Sequence, residues 1–228
     1  MKITLSSILD FFLPKYCAGC NKKLNAGEPQ VCNDCLGDIL TADYNRLESE
    51  YDRKFKSTGY VQDLFSLFVF ESEGTLQNII HSFKYGKRFH IGILLGKKLA
   101  QSILDKINSW QIDLIVPVPL HHLKKAERGF NQSDFIVRGL SDSLKIPYSD
   151  KVIKRIRFTE SQTKLDLEER GQNVSDAFKV KQKKIIADKN ILIVDDVITT
   201  GATINECAKA LMENGASNIY ACSLAIAE

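Results

Sequence analysis

The stretch ILIVDDVITTGATI, Ile191 to Ile204, constrains this chain more than any other. Ile191 to Val194 read as a strand that is apolar on both faces, as the centre of a parallel sheet requires. Two carboxylates, Asp195 and Asp196, sit at its C-terminal end. The loop Thr199-Thr200-Gly201-Ala202-Thr203 follows, and a helix starts just beyond it. Ligands of open α/β sheets bind at the carboxyl ends of strands. A helix N-terminus offers free backbone N–H groups and the positive end of a dipole to an anion. Gly201 lets the backbone turn and come close to that anion, and three threonine hydroxyls add hydrogen bonds. Adjacent carboxylates accept hydrogen bonds from vicinal hydroxyls, or help hold Mg²⁺ through its water shell. A phosphate next to a diol is a ribose phosphate.

The surrounding pattern agrees. Leu64 to Phe70, Ile112 to Val118, Val152 to Ile156 and Ser217 to Ile226 read as strands. Helical spacing of apolar residues marks 76–83, 90–107, 130–144 and 202–214. Strands alternating with such helices predict an α/β fold with a parallel sheet flanked by helices. The polar run Arg46 to Thr58 reads as a connector or an exposed helix. It divides a small N-terminal unit, residues 1–45, from a larger domain, residues 59–228. Leu5 to Leu13 reads as a short amphipathic helix.

Charge and hydropathy set limits. The net charge of +3 among 228 residues tolerates a polyanionic partner without arguing for one. No run is long and apolar enough to span a bilayer, and the N-terminus lacks a signal-peptide cleavage pattern. The expectation is a cytoplasmic protein without membrane insertion.

Residues 1–45 hold four of the six cysteines, as Cys17-x2-Cys20 and Cys32-x2-Cys35. Each knuckle can place two thiolates on one cation, and four complete a tetrahedral Zn²⁺ site. A ribbon this small has too little core of its own and folds around metal. Gly19 and Gly27 supply turns, and a short hairpin is expected between the knuckles. Lys15, Tyr16, Lys22 and Lys23 are candidates for touching a nucleic-acid strand. Cys207 and Cys222 read as small core residues rather than ligands.

The strand, the two acids and the hydroxyl-rich loop resemble the 5-phosphoribosyl 1-pyrophosphate (PRPP) signature of type I phosphoribosyltransferases. That resemblance implies that Asp195 and Asp196 face the ribose hydroxyls and that Thr199, Thr200, Gly201, Ala202 and Thr203 hold the 5′-phosphate. In such enzymes a loop after an inner strand meets pyrophosphate through backbone N–H groups. Val118, Leu120 and His121 can donate here, whereas Pro117 and Pro119 cannot. Arg128 is the cation beyond that loop best suited to a specific role. A mobile loop closes over PRPP in these enzymes to exclude water. The polar stretch Arg157 to Asn173 stands where that loop belongs, with Thr159, Gln162 and Arg170 as contacts.

PVPLH, RGFNQ, the T-x-x-Q…R-x-x-N stretch (Thr159, Gln162, Arg170, Asn173), FKYGK (Phe83 to Lys87) and VDDVITTGAT occur together with the cysteine knuckles. The combination resembles the ComF family, also called the competence protein F or GntX type, over nearly the whole chain. The resemblance implies a type I phosphoribosyltransferase fold with an N-terminal zinc ribbon. It implies Lys84, Tyr85 and Lys87 near the site, with Lys84 and Lys87 as pyrophosphate partners, and Mg²⁺ accompanying PRPP. Three readings follow. One is an enzyme that transfers phosphoribose to an amine or nucleobase nitrogen. Another is a PRPP-sensing factor that holds single-stranded DNA during uptake in natural transformation, alongside other competence proteins. The third is a PRPP-responsive transcription regulator, which is disfavoured because no DNA-reading helix pair is visible. A complete glutamine-dependent amidotransferase is not expected, because no glutaminase domain is present. The sequence does not identify an acceptor pocket or an oligomeric state.

Overall fold

The computed structural model describes residues 14–25, 27–157 and 177–227. The helix read over 5–13 lies outside them, as do Thr159, Gln162, Arg170 and Asn173. Within them, α1 is Asn33–Gly37 and α2 is Tyr44–Tyr51, continued by a π-helical turn over Asp52–Lys56. Then follow β1 (Asp63–Val69), α3 (Thr75–Tyr85), α4 (His90–Trp110), β2 (Leu114–Pro117), α5 (His122–Arg128) and α6 (Gln132–Leu144). The rest are β3 (Ile153–Arg155), β4 (Phe178–Val180), α7 (Lys183–Ile186), β5 (Asn190–Ile198), α8 (Ala202–Met212) and β6 (Asn218–Ile226).

Four strands form one sheet in the order β1-β6-β5-β2, and every neighbouring pair is parallel. The C-terminal ends of all four therefore open on the same rim. β5 is second from one edge and buries Ile191 to Val194, which explains its unbroken apolar run. Helices α3, α4 and α6 cover one face, and α8 with the β3–β4 pair covers the other. Helices α4 and α6 meet at two glycines. A Cβ on Gly96 would collide with the carbonyl oxygen of Ile136, and one on Gly139 with that of Ile93. This close approach carries the N-terminus of α6 to the rim beside β5.

Two expectations change. The strand over 152–156 is present but does not join the main sheet. It pairs antiparallel with β4 as a separate ribbon. Burial alternates along both short strands, so only one face of the pair is covered. The polar stretch 46–58 is helical, as one of its two readings held, yet Leu47, Glu50, Lys54 and Phe55 are buried. Its charges are spent on one another: Glu50 pairs with Arg46 at 3.2 Å, Arg53 at 2.5 Å and Lys54 at 2.9 Å. A high charge count hid a buried face.

The cysteine unit packs on the body rather than standing apart. Cys17, Leu24, Val31, Cys35 and Ile39 share a core with Leu76, Ile79 and Phe83. Asn78 Nδ2 donates to Gly19 O at 3.2 Å, and an Arg88 N–H donates to Tyr16 O at 2.9 Å. Among the described residues, the antiparallel bridge in this unit joins Tyr16 to Lys23, flanking the first knuckle instead of lying between the two.

Candidate functional site

β5 carries the two aspartates near its C-terminal end, with Val197 and Ile198 still paired to β6 beyond them, and gives each different surroundings. Asp195 Oδ1 accepts from Ser133 Oγ at 3.1 Å and from the Asp196 N–H at 2.8 Å. Asp196 is buried and its Oδ2 lies 2.9 Å from Lys84 Nζ. Burial pushes the Asp195 carboxyl up to about 7, and the neighbouring Asp196 charge adds to the rise. The N–H of Asp196, Lys84 and Ser133 act against it. Near neutral pH this carboxyl therefore sits between its two states. A pair of hydroxyls donating to it supplies what burial has removed.

Gly201 is the N-cap of α8, with φ +79° in the left-handed region. The first-turn N–H groups of α8 lack helical acceptors and face the rim. Thr200 Oγ1 accepts from Ala202 N–H at 3.4 Å and shapes the turn. Thr199 is exposed, and Thr200, Ala202 and Thr203 are half-buried. Behind the loop lies the π-helical turn. A Cβ at Gly201 would come within 3.0 Å of Lys54 Cβ and 3.1 Å of the Phe55 ring. Asn205 Nδ2 donates to Lys54 O at 2.8 Å, and Thr58 Oγ1 to Asn205 Oδ1 at 2.7 Å. Lys54 Nζ is held by Glu50 at 2.9 Å and by Ala227 O at 3.0 Å. Lys54 and Phe55 thus back the loop.

The loop after β2 departs from expectation at Val118. Its N–H donates to Val194 O at 2.9 Å and extends the β2–β5 pairing. It is committed to the sheet and is not a donor for a ligand. Asn131 Nδ2 donates to Val118 O at 3.0 Å and to Asp134 Oδ1 at 2.8 Å, bracing the loop from below. Leu120 is half-buried. His121 is buried, and its Nδ1 accepts from Leu123 N–H at 3.4 Å as the cap of α5. Burial and the nearby charges of His122 and Arg155 push the His121 imidazolium down. Lys84, expected at pyrophosphate, is paired with Asp196. Lys87 is exposed in a left-handed turn, φ +53°. Arg128 donates to Gln132 Oε1 at 3.0 Å and lies 5.3 Å from the Tyr85 ring centroid. Beyond Pro117, Pro119 and Leu120 opens a concavity of about 330 Å³, with Lys125, Lys151, Lys154, Arg155 and Lys181 on its walls.

Four residues around the site were not legible beforehand. Ser133 reaches Asp195 only because α6 begins beside β5. Arg155 lies close enough to feel the Asp195 charge although its strand belongs to the other sheet. Lys54 and Phe55 back the Gly201 loop from a stretch that looked like a connector. No local motif marks any of them.

The four Cys Sγ atoms lie within 4.8 Å of one another, with Cys20 and Cys32 Sγ 3.8 Å apart. Four sulfurs at about 2.3 Å from one tetrahedral ion stand roughly 3.8 Å apart, so this set fits one. Burial acts on Cys17, yet the N–H groups of Cys32, Cys20 and Gly19 outweigh it and bring the thiol down to about 6. Burial raises Cys35. Cys207 and Cys222 are fully buried core residues, and burial raises both thiols.

A carboxylate pair at a parallel strand end, one strand from a Pro-braced turn and followed by a left-handed glycine at a helix N-terminus, defines a phosphoribosyltransferase-type domain. The family described as "Phosphoribosyl transferase domain" matches residues 89–227. Over 214 residues the chain is 32% identical to competence protein F of Haemophilus influenzae, covering 92% of this chain and 84% of that one. The chain belongs to the competence protein F (ComF) family, with its phosphoribosyltransferase domain and N-terminal four-cysteine cluster. It is also 33% identical to the DNA utilization protein YhgH of Escherichia coli (strain K12), over 63% of this chain and 64% of that protein's length. Among solved structures it is similar to the glutamine PRPP amidotransferase from B. subtilis, with 22% identity and a TM-score of 0.40 over 58% of this chain and 26% of that one. For the purine phosphoribosyltransferase from Pyrococcus horikoshii Ot3 the identity is 21% and the TM-score 0.39, over 58% of this chain and 73% of that one. Among the described residues no helix is long and apolar enough to cross a membrane.

Proposed function

We propose that this chain binds Mg²⁺-PRPP and transfers its phosphoribosyl group to a nitrogen acceptor. The carrying observation is the Asp195–Asp196 pair directly before the Gly201 turn into α8. In this reading the two carboxylates receive the ribose 2′- and 3′-hydroxyls. The loop Thr199 to Thr203 receives the 5′-phosphate through the α8 N-terminus and its hydroxyls. Leu120 and His121 N–H groups meet pyrophosphate, with Lys84, Lys87 and Arg128 supplying charge, and Thr159, Gln162 and Arg170 closing from above. Mg²⁺ travels with PRPP and neutralises its diphosphate. Cys17, Cys20, Cys32 and Cys35 hold a structural Zn²⁺, which the sulfur spacing supports.

Incubation with Mg²⁺-PRPP and a panel of amines and nucleobases, following pyrophosphate release, tests the enzyme reading. PRPP binding without turnover of any acceptor sinks it. An Asp195→Asn/Asp196→Asn variant that binds PRPP normally by calorimetry sinks the site itself.

One observation supports a second reading, a PRPP-sensing factor that holds single-stranded DNA. Five cations around one concavity beside the site suit a phosphodiester chain. The YhgH relative carries "DNA utilization" in its name. A gel shift with single-stranded DNA that ignores salt would count against this reading.

A further inference from the structure

Substitution at the anomeric carbon is most direct when the entering group approaches the face opposite the departing one, and positioning of the two reactants supplies much of the rate. The strand order identifies that face. On the proposed reading the leaving group lies toward β2 and the ribose sits over the middle of β5. The entering group then comes from the rim of β6 and β1.

A concavity of about 620 Å³ opens at that rim, with Thr41, Asp43 and Arg46 on one wall and Phe70, Glu71 and Ser72 on the other. Its walls are tied to the sheet. Val69 N–H donates to Leu40 O at 2.9 Å and Phe70 N–H to Ile226 O at 2.8 Å, the end of β6. They are also tied to the site. The helix that opens at Asp43 runs on to Lys54, whose side chain packs behind Gly201 and reaches Ala227 O. Arg46 and Lys54 stand eight positions apart, about 12 Å of helical rise.

Charge gives the chemistry of that molecule. Asp43 Oδ1 accepts from the Arg46 N–H at 2.8 Å and stands on one wall. Glu71 is exposed at the opposite wall. Among the described lining residues the cation is Arg46, which Glu50 holds at 3.2 Å. On the far side of the site, the concavity by β2 carries five cations against Asp134 and Asp150. The site is therefore polarised, basic toward the leaving group and acidic toward the entering side. The volume matches pockets that enclose organic ligands, and Phe70 offers an apolar face.

We infer that this concavity is the acceptor pocket, and that the acceptor is an amine-bearing organic molecule, neutral or cationic, with a planar or apolar body. Ammonia would leave the pocket unfilled, and a carboxylate or phosphorylated acceptor would be repelled by Asp43 and Glu71. The inference rests on the phosphoribosyl-transfer reading. In the step, the acceptor nitrogen, any ammonium proton first released to bulk water, forms the C1–N bond with its lone pair. The C1–O bond breaks with its electron pair leaving on pyrophosphate, and the nitrogen's surplus proton passes to bulk water.

The test uses the full-length, metal-loaded protein with Mg²⁺-PRPP. Adenine, cytosine and benzylamine serve as N–H-bearing probes, and benzoate and phenyl phosphate as anionic ones. Binding is read by ligand-detected NMR and turnover by pyrophosphate release. At least one N–H-bearing probe is expected to bind and the anionic probes to be excluded. Asp43→Asn preserves the helix cap, because Asn caps as well as Asp, and Glu71→Gln is on the surface, so both variants should fold. Together they are expected to weaken the amine probe tenfold or more while PRPP affinity, titrated without probe, stays the same. Equal binding of anionic probes, failure of every amine probe at millimolar concentration, or indifference to the double variant overturns the inference. Failure of PRPP itself to bind in the control titration overturns the parent reading instead.

Discussion

Lys84 Nζ, at the end of α3, lies 2.9 Å from the Asp196 carboxylate at the end of β5. This pair joins the FKYGK turn to the strand that carries the acids. It holds a cation where two carboxylates crowd together. Lys84→Met removes that cation and leaves Asp196 buried beside Asp195. A hydrogen bond to a charged group contributes about 1.5–3 kcal/mol. PRPP affinity measured by calorimetry should fall roughly tenfold or more, equivalent to about 1.4 kcal/mol. An unchanged affinity would mean that Lys84 serves only the ligand-free fold.

Asp195 sets a pH dependence. Its folded carboxyl is raised to about 7, chiefly by burial, against an ordinary value of 3.8. The folded state therefore holds a proton that the unfolded chain releases at lower pH. The associated stability is fully present below the unfolded value and is lost as pH rises through about 7. Ribose hydroxyls need the ionised carboxylate, so ligand binding should run the other way. PRPP affinity is expected to rise between pH 6 and 8, with proton release on binding. Calorimetry in two buffers of different ionisation enthalpy reads that release directly. Asp195→Asn should flatten both trends and raise stability at pH 8.

Gly201 is required twice over, by its left-handed φ of +79° and by the Lys54 and Phe55 atoms behind it. The left-handed conformation costs an L-residue about 1–2 kcal/mol. Gly201→Ala can relieve the strain only by moving the loop away from Lys54. The expected result is a chain that still folds, with circular dichroism unchanged, but binds ribose 5-phosphate at least tenfold more weakly. Gly37 has no atoms close to an added Cβ, so Gly37→Ala should leave binding as it is.

The strand–acid–loop motif was legible because its chemistry is contiguous in sequence. One strand, one turn and one helix start carry it all. The knuckle spacing was legible for the same reason, since thiols with two residues between them can share one cation. What could not be read is what the topology assembles. Ser133 meets Asp195 across 62 positions of chain. Val118 lost its donor role to strand pairing that extends one residue past β2. The stretch 46–58 looked solvated because its composition counts Glu50, Arg53 and Lys54 separately. In the fold Glu50 pairs with both cations, and Phe55 is buried behind the Gly201 loop. The 152–156 strand was legible as a strand, but its partner β4 lies beyond a long intervening segment and pairs antiparallel.

Metal removal should act on the body as well as on the ribbon. Cys17 and Cys35 are buried among Leu76, Ile79 and Phe83, so loosening the knuckles opens that core. Elemental analysis is expected to find one zinc per chain. Chelation, or Cys35→Ala, should lower Tm by several degrees, since a protein of this size loses about 2–4 °C per kcal/mol. Lys84 sits at the other end of α3 from the Asn78 contact, so PRPP affinity should change much less than Tm. Metal-free protein with an unchanged Tm would show that the ribbon is held by packing alone.

The last prediction concerns how α6 reaches the site. Ser133 stands on the first turn of α6, and that helix is seated by Gly139 against the Ile93 carbonyl and by Gly96 against Ile136. Gly139→Ala inserts a methyl group where backbone already lies, and neither wall is a flexible side chain. Overpacking of this kind costs about 1–3 kcal/mol, although alanine is the better helix former. The two helices must part, and the N-terminus of α6 moves with them. Thermal unfolding should therefore show a lower Tm. PRPP affinity should weaken in the same variant, because the Ser133 hydroxyl leaves Asp195. A Ser133→Ala variant separates the effects: it should reproduce the affinity loss with little change in Tm. If Gly139→Ala loses stability but keeps its affinity, the glycine contact seats the helix without setting the geometry of the aspartate.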